Sequence, residues 1–362
     1  MPVDEEFWNP YRMIPVNNVI ENQKPPLTDE KFKGQSGHLV CSLINLTPLF
    51  IGGNRDDLNK NNRTFLKRTI GQSEKYVIPG ASLKGVLRSL SEIIGKACMI
   101  TEKSCQKIEE LCIACRMFGM MQKGKNARVH KGKVSISDAI LQEDDVVTLP
   151  FQVYLSSSKD RHESFYRNPK TGRYDKQSRK LYFHQPRRKD SVPTLSQEVQ
   201  SSAWTINALA INHHFQFSVQ FSNLTQEELS LLLYTLALEN NVSVHIETDN
   251  IRLKGPLHHK IGNAKPLGLG TCKIQVNKLV LMDPPQKRFS SLKHKPETAY
   301  TGDELEKKIS IFTKDYVSDN SPTMQQLRKM MVWDENDPRL FHYPGYHWFK
   351  NPGNSQKPLK HI

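Results

Sequence analysis

Apolar positions recur with two different periods along this chain, and each period predicts a type of element. From His38 to Leu46 the apolar residues Leu39, Cys41 and Leu43 fall on alternate positions, the spacing of a half-buried strand. Thr47-Pro48-Leu49-Phe50-Ile51-Gly52-Gly53 turns out of it, and the Asn-, Arg-, Asp- and Lys-rich stretch Asn54 to Lys75 reads as an exposed loop. Pro79-Gly80 predicts a turn, after which Ser82 can cap a helix. Leu83, Val86, Leu87, Leu90, Ile93 and Ile94 then repeat at helical spacing and would bury one face. A short helix is expected over Glu102 to Leu111. Lys133 to Ala139, Leu149 to Tyr154, Ala210 to Gln220, Val242 to Ile246 and Thr271 to Val276 read as strands. Thr225-Gln-Glu-Glu228 is a capping box that opens a helix carrying Leu229, Leu232, Leu233 and Leu236.

The order strand, helix, strand, then strand, helix, strand predicts an α+β, ferredoxin-like (RRM-like) domain with insertions. Sheets of that kind commonly present a face or edge to RNA. The expected organisation is an N-terminal arm over residues 1–36, a core over 37–283, and a polar, basic C-terminal extension over 284–362 with two short helices and an aromatic run. Two insertions interrupt the core, one at 97–118 and one at 155–200. In the second, Lys and Arg far outnumber acidic residues and are interleaved with Phe165, Tyr166, Tyr174, Tyr182 and Phe183. Such a segment cannot build an apolar core by itself.

Composition narrows the partners. The formal net charge is +14 with a hydrophobic fraction of 37%, which favours an anionic partner, nucleic acid ahead of an acidic membrane surface. No apolar run approaches the length of a membrane span, and Met1-Pro-Val-Asp-Glu-Glu does not have the pattern of a signal peptide, so a cytoplasmic location without a membrane is expected. Six cysteines with four in one cluster suit a reducing compartment and a metal better than disulfides. Cys98, Cys105, Cys112 and Cys115 end in a Cys-x-x-Cys pair, and four thiolates are the ligand set of a closed, structural zinc site. A set of buried thiols without metal is the alternative.

Gly52, Gly53 and the segment Gly262-Asn-Ala-Lys-Pro-Leu-Gly-Leu-Gly270 allow positive φ and close approach of backbone N–H groups to phosphates. Lys84 and Arg88 lie one helical turn apart near the N-terminus opened by Ser82, and Lys265, Gly268 and Gly270 sit together in the second glycine segment. These are candidate contacts to a sugar-phosphate strand. In the basic insertion, Arg179 with Arg167, Arg173, Arg187 and Arg188 can meet phosphates while Tyr182, Tyr166 and Tyr174 stack on unpaired bases, and His184 lies beside them. Ordinary turns and a solvated basic loop are the competing interpretation.

Three pieces in order resemble the RAMP superfamily of CRISPR-associated proteins, in particular the backbone subunits of type III, III-D-like, effector complexes. They are Leu46-Thr-Pro-Leu-Phe-Ile-Gly-Gly53 with Val77-Ile-Pro-Gly-Ala-Ser-Leu-Lys-Gly-Val-Leu-Arg88, then Cys115-Arg-Met-Phe-Gly119 with Gly132-Lys-Val-Ser-Ile-Ser-Asp-Ala139, then Gly262 to Gly270. Arg179-Lys-Leu-Tyr-Phe-His-Gln185 is similar to a segment of III-D members. The resemblance implies a RAMP fold with a zinc-binding insertion and a basic insertion. It also implies a subunit that holds the CRISPR guide RNA, meets target RNA, and stacks with other RAMP subunits and the large subunit of the complex.

In several members of that family one acidic residue in the loop after the first strand supports cleavage of target RNA by 2′-hydroxyl attack, assisted by magnesium or manganese. Asp56 and Asp57 lie in that loop, but Asn61 to Phe65, counted back from Pro79-Gly80, has no acid. Either one of these aspartates assists cutting in a remodelled loop, or the subunit binds without cutting. Two further classes stand beside this reading: a stand-alone CRISPR RNA-processing endoribonuclease, and a non-catalytic RNA-binding adaptor.

Overall fold

In a computed structural model, the residues described are 9–16, 23–28, 32–55, 62–99, 105–122, 124, 127–155, 178–188, 203–247, 250–284, 287, 296–343, 348 and 351–354. The central sheet runs in the order β17 (His259–Lys260), β18 (Thr271–Met282), β2 (Gln35–Asn45), β14 (His214–Leu224), β10 (Ala139–Leu141), β6 (Ser73–Ile78) and β5 (Lys67–Ile70). Two more strands join it: β9 (Val134–Ile136) pairs with β14, and β19 (Glu297–Tyr300) pairs with β18.

Helix α1 (Gly80–Ile94) follows β6, and α3 (Gln226–Ala237) joins β14 to β18. Taking β2, β9 with β10, β14 and β18 as the four main strands, the spatial order is fourth, first, third, second, with every neighbour antiparallel. This is the ferredoxin-like arrangement that the pattern of elements predicted. Leu39, Cys41 and Leu43 of β2 are fully buried while the residues between them are half-buried, as the pleat requires. Helix α1 contributes Leu83, Leu87, Leu90 and Ile93 to the same core, each burial stabilising by roughly 1.5–3 kcal/mol. The capping box forms as expected: Thr225 Oγ1 accepts from the Glu228 N–H, and a Glu228 carboxylate oxygen accepts from the Thr225 N–H.

Several local expectations fail for physical reasons. Ser82 does not cap α1. The helix begins two residues earlier behind Pro79, whose fixed φ suits an N-terminus, and the Gly80 N–H donates to Asp138 Oδ1 at 2.8 Å. Residues 54–75 are not one loop: β3 (Gly52–Arg55) and β4 (Asn62–Phe65) pair with each other, and β5 forms a hairpin with β6. All four side chains of β5 are exposed, so no alternation marks the strand.

The expected helix over Glu102 to Leu111 is not found among its described residues. Helix α2 (Ile113–Phe118) follows instead, closed by Gly119 at φ +87°. A Cβ at Gly119 would lie 2.7 Å from the Gly132 nitrogen, and one at Gly132 would lie 2.6 Å from the Phe118 oxygen. Only two glycines let these backbones touch.

Strand β4 also pairs with β13 (Trp204–Leu209), which pairs in turn with β11 (Thr148–Val153). The smaller hairpins are β15 (Val242–Ile246) with β16 (Ile251–Gly255), and β7 (Met120–Met121) with β8 (Val129–His130). Within the expected N-terminal arm, β1 (Tyr11–Pro15) pairs with β12 (Ser178–Tyr182), so the middle of the basic insertion is tied to that arm. The C-terminal extension carries α4 (Gly302–Ser318) and α5 (Pro322–Met331), longer than the short helices expected there. Among the described residues no helix is long and apolar enough to cross a membrane.

Candidate nucleic-acid interface and metal centre

The two glycine segments, more than two hundred positions apart in sequence, meet in the fold. The Gly270 N–H donates to the Pro48 carbonyl at 2.9 Å, and the Asn263 N–H donates to the Phe50 carbonyl at 2.9 Å. Gly262, Gly268 and Gly270 all have positive φ. A Cβ at Gly270 would lie 1.9 Å from the Ile261 oxygen, and one at Gly262 would lie 2.5 Å from the Phe50 oxygen. Glycine is therefore required here by both torsion and space. Gly52 faces the Asn263 amide, and Gly53 packs against the Leu66 backbone.

Lys265 stands half-buried in this crevice, and burial pushes its pKa down. Lys260, which sequence reasoning did not single out, joins it from β17. Its ammonium donates to the Gly268 carbonyl at 3.1 Å and to Thr271 Oγ1 at 3.2 Å. Neither lysine has a carboxylate partner among the described residues. The signal that would have found Lys260 is its place in the short segment His258-His-Lys-Ile-Gly262 that feeds the glycine loop.

His184 lies in the same neighbourhood but inside it. The ring is buried, with Nε2 donating to the His258 carbonyl at 3.1 Å and Nδ1 at 3.0 Å from Thr271 Oγ1. Burial, then Lys260, holds its pKa well below the usual histidine value, so it is a neutral internal link rather than a surface contact. Tyr182 is half-buried and packs edge-on against Tyr11, ring centroids 6.1 Å apart.

Ser82 and Lys84 sit on the first turns of α1. Ser82 is exposed, and Lys84 donates to the Val134 carbonyl at 2.9 Å. Burial, followed by repulsion from Arg88, lowers the Lys84 pKa. Arg88 was expected beside Lys84 on the outer face, but it turns inward because a buried carboxylate waits there. Its Nε donates to Glu92 at 3.0 Å, one terminal nitrogen to the Gly119 carbonyl at 2.9 Å, and the other to Cys115 Sγ at 3.6 Å. Arg179 reaches the other oxygen of the same Glu92, with Nε at 2.9 Å. Both arginines thus neutralise one fully buried acid. Asp56, Asp57, Arg167, Arg173, Tyr166 and Tyr174 lie outside the described residues.

A groove of about 590 Å3 opens where the residues near β8 and β9 approach β2 and β14. Its lining includes His38, Lys131, Ser135, Gln220 and Ser222 and, among the described residues, no acidic one.

The four cysteines converge. The Cys98 sulfur lies 3.3 Å from Cys115, 3.5 Å from Cys112 and 3.9 Å from Cys105, and all four sulfurs fall within 4.8 Å of one another. Zinc–sulfur bonds of about 2.3 Å in a tetrahedron put sulfurs roughly 3.8 Å apart, so the donor set fits such an ion. Donors surround the sulfurs as well: the Cys112 N–H reaches Cys105 Sγ at 3.3 Å, the Gln23 amide reaches it at 3.7 Å, and Arg88 reaches Cys115. Hydrogen bonds from Cys112, Cys115 and Cys98 hold Cys105 far below the usual thiol range. Hydrogen bonding to Cys105 and Cys112 pushes Cys98 and Cys115 up. Four thiols this close in the core disfavour ionising together, and a divalent cation would let all four do so. Helix α2 positions two of them, Cys112 as its N-cap and Cys115 one turn later. Cys41 and Cys272 stand apart as buried thiols, each pushed up to about 12 by burial.

Comparison with known proteins gives a family. The model of the RAMP superfamily matches residues 43–273, which contain both glycine segments and the cysteine cluster. A solved structure titled "Type IV-B CRISPR Complex" is similar at 16% identity, over 71% of this chain and 95% of that one, with a TM-score of 0.37. No curated protein matches.

Proposed function

The chain belongs to the RAMP superfamily, and from that premise we propose that it is a guide-RNA-binding backbone subunit of a CRISPR effector complex, of the type III, III-D-like kind. The observation that carries this reading is the meeting of the Pro48–Gly53 and Gly262–Gly270 segments beside Lys260 and Lys265, two ammonium groups without a carboxylate partner among the described residues. The Gly268, Gly270 and Asn263 N–H groups are taken up by backbone carbonyls, so in this proposal the lysine ammonium groups beside the junction, not the backbone, meet the phosphodiester. Ser82 and Lys84 at the head of α1 offer a second contact. Other RAMP subunits and a large subunit are the protein partners in this proposal, and the complementary target RNA pairs with the guide. Zinc, held by Cys98, Cys105, Cys112 and Cys115, has a structural role, because four protein ligands leave no open position for chemistry.

The full chain is expected to bind single-stranded RNA with a steep salt dependence. Each phosphate contact contributes about −0.7 to the slope of log K against log salt, so three to five contacts give roughly −2 to −3.5. Fluorescence anisotropy across a salt series measures it. A flat response, or no binding in low salt, overturns the proposal. The subunit either binds without cutting or cuts with the help of Asp56 or Asp57, magnesium or manganese being the assisting ion in the second case. Removing a group that assists proton transfer lowers a rate by about 100-fold or more. Replacing both aspartates by alanine in the assembled complex should slow target cutting by that factor, and unchanged cutting removes them from the mechanism.

A further inference from the structure

We propose that Lys260 is a ligand-contacting residue of the glycine crevice, its ammonium supplying the counter-charge for one phosphodiester of the bound RNA. This deepens the RNA-binding reading above and rests on it. A buried ammonium without a carboxylate is costly, and folded proteins normally pair such a charge. Lys260 has no such pairing among the described residues. Of its three N–H groups, two go to neutral oxygens, the Gly268 carbonyl and Thr271 Oγ1. The acceptors are themselves fixed. His184 donates Nε2–H to the His258 carbonyl, which leaves Nδ1 to accept from the Thr271 hydroxyl, so a Thr271 lone pair faces Lys260. The third N–H is left for a ligand, and the side chain keeps partial solvent contact beside Gly268.

The surroundings give the residue a signature. Burial depresses the Lys260 pKa to about 7, against a smaller raising by Cys272 and with a still smaller lowering from Lys265. The neighbouring histidines and the thiol are held neutral. Burial keeps His258 and His259 down at about 4 and His184 well below its usual value, while the Cys272 thiol is pushed up to about 12. Lys265 and the exposed Lys273 of β18 are the remaining cations. A phosphodiester arriving at Lys260 supplies negative charge and raises its pKa, so binding takes up a proton. The linkage sign follows: affinity is full below the free-state value and falls as pH rises through it. Between pH 6 and pH 8 the protonated fraction of a group with pKa about 7 drops about tenfold, and affinity should drop with it.

The test uses the full chain and a short labelled single-stranded RNA at constant ionic strength. The expected result is a roughly tenfold loss of affinity from pH 6 to pH 8 in the native protein. Lys260→Arg, always charged, should bind at pH 8 as it does at pH 6. The native profile needs no variant, so a folding defect in Lys260→Arg does not blunt the test. Binding that is independent of pH, or a pH dependence that survives in a folded Lys260→Arg protein, overturns the role of Lys260 and leaves the RNA reading standing. Failure of the native protein to bind RNA at any pH in low salt overturns both.

Discussion

Native protein is expected to carry about one zinc per chain, and Cys112→Ser protein to purify without it. Cys112 is the position at which the change should be felt most. It is fully buried, its sulfur lies 3.5 Å from Cys98, its N–H donates to Cys105, and it holds the N-cap position of α2 without a side-chain cap hydrogen bond. Structural zinc sites carry apparent binding free energies of about 10–16 kcal/mol at neutral pH. Losing the ion leaves buried sulfurs that must reprotonate, and it releases the segment that Cys105 and Cys112 tie to Cys98. Elemental analysis with thermal melting measures both effects. Chelation of native protein should lower the melting temperature in the same way, with new proteolytic nicking confined to residues 97–118. Cys41→Ala, a change outside the cluster, should leave the metal content unaltered. Full stability of metal-free protein would remove the zinc assignment.

Glu228→Ala should be the most destabilising single change outside the cysteine cluster, by about 3–5 kcal/mol. The carboxylate is completely buried and serves three partners. Arg116 Nε donates to it at 2.9 Å, the Lys133 ammonium donates to its other oxygen, and the Thr225 N–H completes the cap at 2.9 Å. Arg116, on α2, is itself 1% exposed, so removing the acid takes away its fully buried carboxylate contact and leaves it the half-buried Glu227 at 3.3 Å. Truncating Arg116 and Glu228 together to alanine should cost less than the sum of the two single changes, because each single change already removes the contact the two share. Urea unfolding measures all three variants. Strict additivity would show that the pair is not coupled.

The same residue illustrates how far local pattern goes. Thr225 and Glu228 were legible as a capping box from spacing alone, since the interactions of a cap span three residues. That Glu228 also neutralises Arg116 and Lys133 was not legible, because those partners lie 112 and 95 positions away. Arg88 and Arg179 are the counterpart among the candidate contacts. Basic residues in a basic chain read as offered to phosphate, yet a single buried acid, Glu92, draws both inward. The helix start was misplaced for the same reason, since the group that receives the Gly80 N–H is Asp138, across the sheet.

The sequence by itself determined the core order of strand and helix from β2 through α1, β9, β14 and α3 to β18, the glycine positions and the four-thiol donor set, because each is written in residue type and short-range spacing. Only the tertiary structure decided which charges face outward. Pairing of a buried ion depends on what other elements bring within about 4 Å, and spacing along the chain carries no record of that. It withdrew Arg88 and Arg179 into an internal bridge, enclosed His184, and drew Lys260 to the crevice where two distant glycine segments close on each other.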